Sequence, residues 1–478
     1  MAAEHPRIIQ GGMGIGVSGW QLARAVSMSG QLGTVSGTGI WLVIARLLQL
    51  GDPGGHIRRA LSYFPAPSIA ERIIAKYFIP GGKPAHSPFK DVPMLTHPLR
   101  AATAELLVAG SFVEVWLAKE GHDGLVAINY LEKIQLAHLP SLYGAMLAGV
   151  DYVLMGAGIP IQIAEALDLL SQHEPAAYRL HVEGAGPEDN FESSFDPSLI
   201  ASKYPQSPMK RPYFFPIISS HVLAQVLLKR SKGRIDGFIV EGHTAGGHNA
   251  PPRNRRELTE DGEPAYGEQD MVDLAKMRAL DLPFYLAGSY AGPEALERAT
   301  EEGAKGIQVG SIFALSKESG MRADLKLLAI QHVLSGDLRV CTNRNCSPSG
   351  YPFKEAILPG TLTDSSIEER RKAICDIGCL RTIYKRSDGK LGYRCAAEPL
   401  DQFLKKGGTE EETAGKRCLC NTLCGSIGLG QVRTKWGYTE PPLVTLGSDL
   451  GFVSAITTGE SYSATDALRY LLGEADKS

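Results

Sequence analysis

The chain has 478 residues, 44% of them hydrophobic and 21% charged, with a formal net charge of −3, enough for one large domain with additions or about two to three average ones around an ample core. So balanced a charge gives no electrostatic footprint for nucleic acid or an anionic membrane surface. The first residues lack the apolar stretch of a secretory leader, and no 18-residue apolar run is free of charge, so the expected location is cytoplasmic.

The first strand is expected at residues 7–12 and runs into Gly11-Gly-Met-Gly-Ile-Gly-Val-Ser-Gly-Trp20. Gly14 to Gly19 match G-x-G-x-x-G between a strand and a helix-like run at 20–26, the setting of a dinucleotide fingerprint. That fingerprint also needs an acid about 20 residues on, to bind the ribose. The second strand, at 32–36, ends in Ser-Gly-Thr-Gly39, and no Asp or Glu occurs between Glu4 and Asp52. The glycines therefore read better as a wall that lets the backbone lie against a flat ligand.

Residues 38–123 carry helix-like runs at 41–50, 67–78 and 101–120, broken by Gly and Pro. They read as a helical insertion near the mouth of the fold. Further strands are expected at 125–131, 151–155, 213–219, 237–241, 283–288 and 306–310. Each leads into a plausible helix, such as 141–148 and 293–302. A ninth strand-like run, 178–184, reads as an excursion before the fifth main strand. Eight strand–helix units in order predict an α/β fold, a (β/α)8 TIM barrel over residues 1–315. Residues 316–478 then form a C-terminal extension or subdomain.

In such a barrel, function gathers at the C-terminal ends of the strands. After the sixth comes Glu241-Gly-His-Thr-Ala-Gly-Gly-His248. Gly246 and Gly247 permit close backbone approach, and His248 titrates near working pH, as a base or as a cationic partner. His243 is a lesser candidate. After the seventh and eighth strands, Ala287, Gly288, Ser289, Gly310 and Ser311 suit a phosphate cradle built from backbone N–H groups. A phosphate site beside a redox-suited pocket suggests FMN. Gln10, Gly11, Gly12 and Met13 would lie along its ring.

Gln10-Gly-Gly-Met13, Ala245-Gly-Gly-His248, Leu286-Ala-Gly288 and Ile307-Gln-Val-Gly-Ser311 together resemble the motifs of the nitronate monooxygenase (2-nitropropane dioxygenase-like) superfamily. The resemblance spans residues 7–313. It implies an FMN-dependent barrel that oxidises alkyl nitronates with oxygen. Asn129 and Gln308 would then hydrogen-bond the flavin; Gly288, Gly310 and Ser311 would hold its phosphate; His248 would be the catalytic histidine. Glu241 stands where the family often carries an acid.

The stretch Ser347-Pro-Ser-Gly-Tyr-Pro-Phe-Lys354 is similar to related flavin enoyl reductases. It sustains an alternative, an NAD(P)H-dependent reductase of an acyl carrier protein or CoA thioester. Arg253, Arg255 and Arg256 would suit the phosphates of such partners. Inosinate-type dehydrogenases need a nucleophilic cysteine in a barrel loop, and no cysteine precedes Cys341.

All eight cysteines lie between Cys341 and Cys424. Cys395, Cys418, Cys420 and Cys424 are the candidates for a zinc or iron–sulfur site. Their spacing is not C-x-x-C, and buried thiols also serve as small core residues. The tail then reads as a structural or partner-binding module. Expected partners are a small-molecule substrate and, under an oligomeric reading, a second copy of the chain.

Overall fold

A computed structural model describes residues 5–201 and 207–474. Its centre is an eight-stranded parallel sheet: β1 (Ile8–Gln10), β2 (Gly33–Ser36), β3 (Val126–Leu131), β4 (Tyr152–Gly156), β5 (Tyr213–Ile218), β6 (Phe238–Glu241), β7 (Phe284–Ala287) and β8 (Gly306–Val309). They pair in the order β1-β8-β7-β6-β5-β4-β3-β2. The ring closes between Ile9 and Leu32, where Gln10 N donates to Leu32 O at 2.9 Å. This is a (β/α)8 barrel, and all eight expected strands are present.

The strands are near-continuous apolar runs because both faces are buried, as expected of a parallel sheet under helices. Successive residues alternate between two cores. Ile9, Leu154, Phe215, Ile239 and Tyr285 fill the barrel interior. Ile8, Val153, Phe214, Val240 and Leu286 face the helices. Truncating a ring as enclosed as Phe215, which is fully buried, costs about 3–5 kcal/mol. At the N-terminal end the interior is plugged by Tyr285 Oη donating to Pro6 O at 2.6 Å and by His5 Nδ1 against Tyr152 Oη at 2.6 Å.

The loop after β1 leads into α1 (Trp20–Met28). Beyond β2, α2 (Ile40–Gln49) and the helix Pro67–Tyr77 sit close to their expected positions. The helix Ala101–Lys119 differs from the other two. It packs on α1 and on the helix His138–Leu147, so it fills a place in the barrel's own helical layer. A Cβ at Gly144 would stand 2.1 Å from Val108 O; glycine there lets the two helices touch. Ala101–Lys119 is long and apolar enough to cross a membrane by composition, yet here it is mostly enclosed by protein. The excursion before β5 is a hairpin, Ala176–Arg179 antiparallel to Glu192–Phe195.

Residues after Ser316 return across the barrel's C-terminal mouth. The hairpin of Arg339–Asn343 and Phe353–Ile357 reaches the loop after β6, where Phe353 bridges His248. The helix Ala464–Leu471 starts at a capping box of Ser463 and Asp466. It packs on α1 and on Pro293–Glu301, the place between first and seventh units where an eighth barrel helix belongs.

Candidate active site

A cavity of about 450 Å³ opens at the C-terminal ends of the strands. Gly11, Gly12, Met13, Asn129, Glu241, Gly246, Gly247, His248, Ala287, Gly288, Ser289, Gln308, Gly310 and Ser311 all line it. Of the residues expected to form the flavin site itself, Gln10 alone does not. Its side chain is fully buried, its Nε2 donates to Ser18 Oγ at 2.8 Å and its Oε1 accepts from Thr34 N at 2.8 Å. With both ends of the amide engaged, Gln10 braces the glycine loop from beneath.

That loop forms one wall. Gly14 and Gly16 take φ of +53° and +64°, in the left-handed region that favours glycine. The turn is pinned from the end of β2, with Ser36 Oγ donating to Gly14 O at 2.6 Å. At Gly12 a Cβ would fall 2.2 Å from the Cβ of Asn129. The missing side chain brings Asn129 up to the wall, where its Nδ2 donates to Gly12 O at 3.3 Å. Asn129 Oδ1 and Gln308 Oε1 are then left buried with no partner. Two orphaned carbonyl oxygens in one cavity are costly unless a ligand donates to them.

The loops after β7 and β8 form the opposite end. Gly288 has φ +93° and Ser289 φ +58°. A Cβ at Gly288 would meet Thr244 Oγ1 at 2.8 Å. The backbone N–H groups of Gly288, Ser289, Gly310 and Ser311 have no hydrogen-bond partner among the described residues. Ser311 Oγ accepts from Gly447 N at 2.7 Å, and Gly247 N donates to Thr445 Oγ1 at 2.8 Å. These bonds tie the tail across the mouth and leave the Ser311 hydrogen able to donate.

His248 faces this space with its Nε2 2.8 Å from Ser347 Oγ. Its ring stands edge-on to Phe353, centroids 4.9 Å apart. Desolvation pulls the imidazole down to about 4, so the ring is neutral at pH 7 and the base role is the one favoured. Glu241 has no ion-pair partner among the described residues, and burial pushes its carboxyl up to about 8. At neutral pH it is protonated and can donate a hydrogen bond. His243 turns away and stacks on Tyr266, centroids 4.3 Å apart. Arg253, Arg255 and Arg256 do not line the cavity; they are exposed, without a carboxylate partner among the described residues.

Two contributions were not legible as contacts. Ser347 lies in a stretch the sequence already singled out, but its reach to His248 depends on the hairpin returning over the mouth. Thr445 and Gly447 sit in an ordinary Leu-Val-Thr-Leu-Gly run and carried no signal. The tail also brings Cys379 and Cys420 into the cavity wall, so thiols reach the site although no barrel loop holds one. Among the described residues no group of three or more His, Cys, Asp or Glu side chains is gathered to hold a metal ion.

Fold and site together define a (β/α)8 barrel whose mouth holds two unpartnered carbonyl oxygens on one side and unpartnered backbone N–H groups on the other, among the described residues. Residues 212–343 match the family model described as nitronate monooxygenase, and over that segment the chain is nitronate monooxygenase-like. No curated protein matches it. Among solved structures, it resembles FabK from Thermotoga maritima at 15% identity and TM-score 0.48, over 99% of this chain and 93% of that one. A nitroalkane oxidase from Streptomyces ansochromogenes is 14% identical with TM-score 0.48, over 98% and 95%. The fold assignment stands on the strand order and closure, not on these likenesses.

Proposed function

We propose that this chain is an FMN-dependent oxidoreductase that oxidises alkyl nitronates with molecular oxygen. The observation that carries the reading is the pairing of Asn129 Oδ1 and Gln308 Oε1, both buried and unpartnered, with the unpartnered N–H groups of residues 288, 289, 310 and 311. The first pair matches the N–H edge of an isoalloxazine, the second its phosphate. The family match over 212–343 supports the same reading.

Bound FMN would supply the electron transfer from a carbanion-like substrate and the reaction with oxygen. The protein supplies placement and charge. Gly12 and Gly246 let the walls close on a planar ring. His248, neutral at pH 7, takes the α-proton of a nitroalkane, and the hydroxyls of Ser347 and Ser349, 2.7 Å apart, extend from its Nε2 as a relay. The imidazolium so formed holds the nitronate by charge. Protonated Glu241 adds a donor on the same face without adding a repelling charge.

A second reading is favoured by Arg253, Arg255 and Arg256, three exposed cations that follow the cavity-lining run ending at Pro251. They suit the phosphates of NAD(P)H or of a CoA or carrier-protein arm, and the reaction would then be reduction of an enoyl thioester. Anaerobic reduction of the yellow protein decides between the two. Rapid bleaching by an alkyl nitronate, with none by NADPH, is the expected result. Bleaching by NADPH alone, with colour restored by an enoyl thioester, would replace it.

A further inference from the structure

One part of the cavity wall takes no part in the proposed chemistry. The helix Leu419–Ser426 stands over the glycine loop. A Cβ on Gly16 would come 2.9 Å from Cδ1 of Ile427, the residue that closes this helix. Arg46 Nη1 donates to Leu429 O at 2.6 Å and Ser426 Oγ to Leu443 O at 2.7 Å, which fixes the helix at its end. Asn421 Nδ2 donates to Asp376 Oδ1 at 2.8 Å, and Arg433 Nη1 to Asp376 Oδ2 at 2.6 Å. These bonds tie the segment that leads to Leu380 onto the helix.

Leu419 and Leu423 lie one turn apart and share a face of the helix. They line the cavity, as do Leu380 and Ile15 of the glycine loop. All four side chains are buried and present carbon alone to the space. A recess walled in this way holds water poorly and takes an apolar ligand instead. Charge is scarce in the cavity. Among the described residues no lysine or arginine lines it, and its only carboxyl side chains are Glu241 and Asp449. The N–H groups of residues 288, 289, 310 and 311 are the phosphate's under the flavin reading. A second carboxylate on a substrate would therefore be buried with no cation to meet it, which is costly.

We propose that Leu419 and Leu423 determine specificity: they receive the substrate's carbon chain, so that nitronates with an uncharged alkyl chain are accepted and those ending in a carboxylate are refused. Both leucines belong to the tail, so substrate choice is the tail's contribution to a barrel site. The nitronate head group rests on the oxidase reading; the apolar recess and its leucines do not. Each methylene moved from water into such a wall strengthens binding about fourfold, until the chain reaches the end of the space. Truncating either leucine moves that end outward. Leu423→Lys would supply the cation that the recess lacks.

Unreactive carboxylates, whose planar head stands for the nitronate, are titrated calorimetrically into the flavin-loaded full chain. Affinity should rise about fourfold per carbon from propanoate to pentanoate and level off at a longer chain. Pentanedioate, whose last carbon is a second carboxylate, should bind at least about tenfold more weakly than pentanoate. Leu419→Ala and Leu423→Ala should each move the levelling-off to a longer chain. Leu423→Lys should reverse the order of pentanoate and pentanedioate, and the two alanine variants carry the test if that protein does not fold. An affinity indifferent to chain length overturns the proposal. So does pentanedioate binding as tightly as pentanoate in wild type, or a levelling-off unmoved in both alanine variants. Anaerobic bleaching by the nitronate of 1-nitropentane is read alongside. Carboxylates that behave as expected without such bleaching would defeat the oxidase reading and uphold the recess.

Discussion

The Nε2 of His248 and the hydroxyl of Ser347 stand 2.8 Å apart although 99 positions separate them in the chain. The first belongs to the loop after β6, the second to the hairpin that crosses the mouth. Their contact makes the tail part of the site: Ser347 sets the direction of the imidazole, and Ser349 holds Ser347, its N donating at 3.1 Å. Ser347 is a positioning residue. Replacing it with Ala should lower kcat while leaving the KM for nitroalkane nearly unchanged, and Ser347→Thr should recover part of the loss.

His248→Ala should lower kcat for a neutral nitroalkane by about 10²–10⁴, the usual worth of a placed general base, while the protein keeps its flavin. A pre-formed nitronate needs no proton removed, so it should lose less. Steady-state rates on the acid and its anion check this. Equal losses on both would refute the base role.

The pH profile follows from the same ring. Its pKa lies near 4, below the ordinary 6.5, so the neutral base persists well below pH 6. For the nitroalkane, kcat/KM should stay level from pH 7 to about 5 and fall only as pH drops through the folded pKa. An acid limb centred at 6.5 would show the imidazole to be solvated.

Glu241 predicts a pH effect of opposite sense. Its carboxyl holds a proton up to about 8 instead of the ordinary 4.5. A group with a raised folded pKa contributes most below its unfolded value and loses that contribution as pH rises through the folded one. Glu241→Gln removes the ionisation. Without flavin, the variant should melt at least about 2 °C above wild type at pH 9 and show no such gain at pH 5. Thermal scans at both pH values test this.

Flavin affinity should depend on the glycine and the amide singled out above. Gly288→Ala places a methyl in a left-handed backbone and 2.8 Å from Thr244 Oγ1, a strain of about 1–3 kcal/mol. The Kd for FMN should rise at least about tenfold. Gln308→Leu removes one ring acceptor and should weaken binding by about 1 kcal/mol. Quenching of flavin fluorescence on titration reads both. Unchanged affinity in Gly288→Ala would place the phosphate elsewhere.

The barrel was legible because its strands are short, apolar and β-branched, and because the glycine-bearing turns recur at their ends. Local patterns of that kind survive in the sequence. Gln10 was misplaced because alternation along so short a strand does not say which end of the barrel a buried amide serves. Residues 101–119 were grouped with the insertion because an apolar helix looks alike whether it covers the barrel or caps it. Ser347, Gly447 and the placing of Cys379 and Cys420 in the cavity wall were hidden for a different reason. They depend on a distant segment folding back, and no local period records where a returning chain will land.

The helix Ala464–Leu471 fills a gap between α1 and Pro293–Glu301. The circle's first and last staves therefore meet through a piece translated long after either. A nascent chain that has already paired all eight strands still has an open seam along α1. Until that late helix arrives, the flank of α1 that it covers in the finished fold stands open.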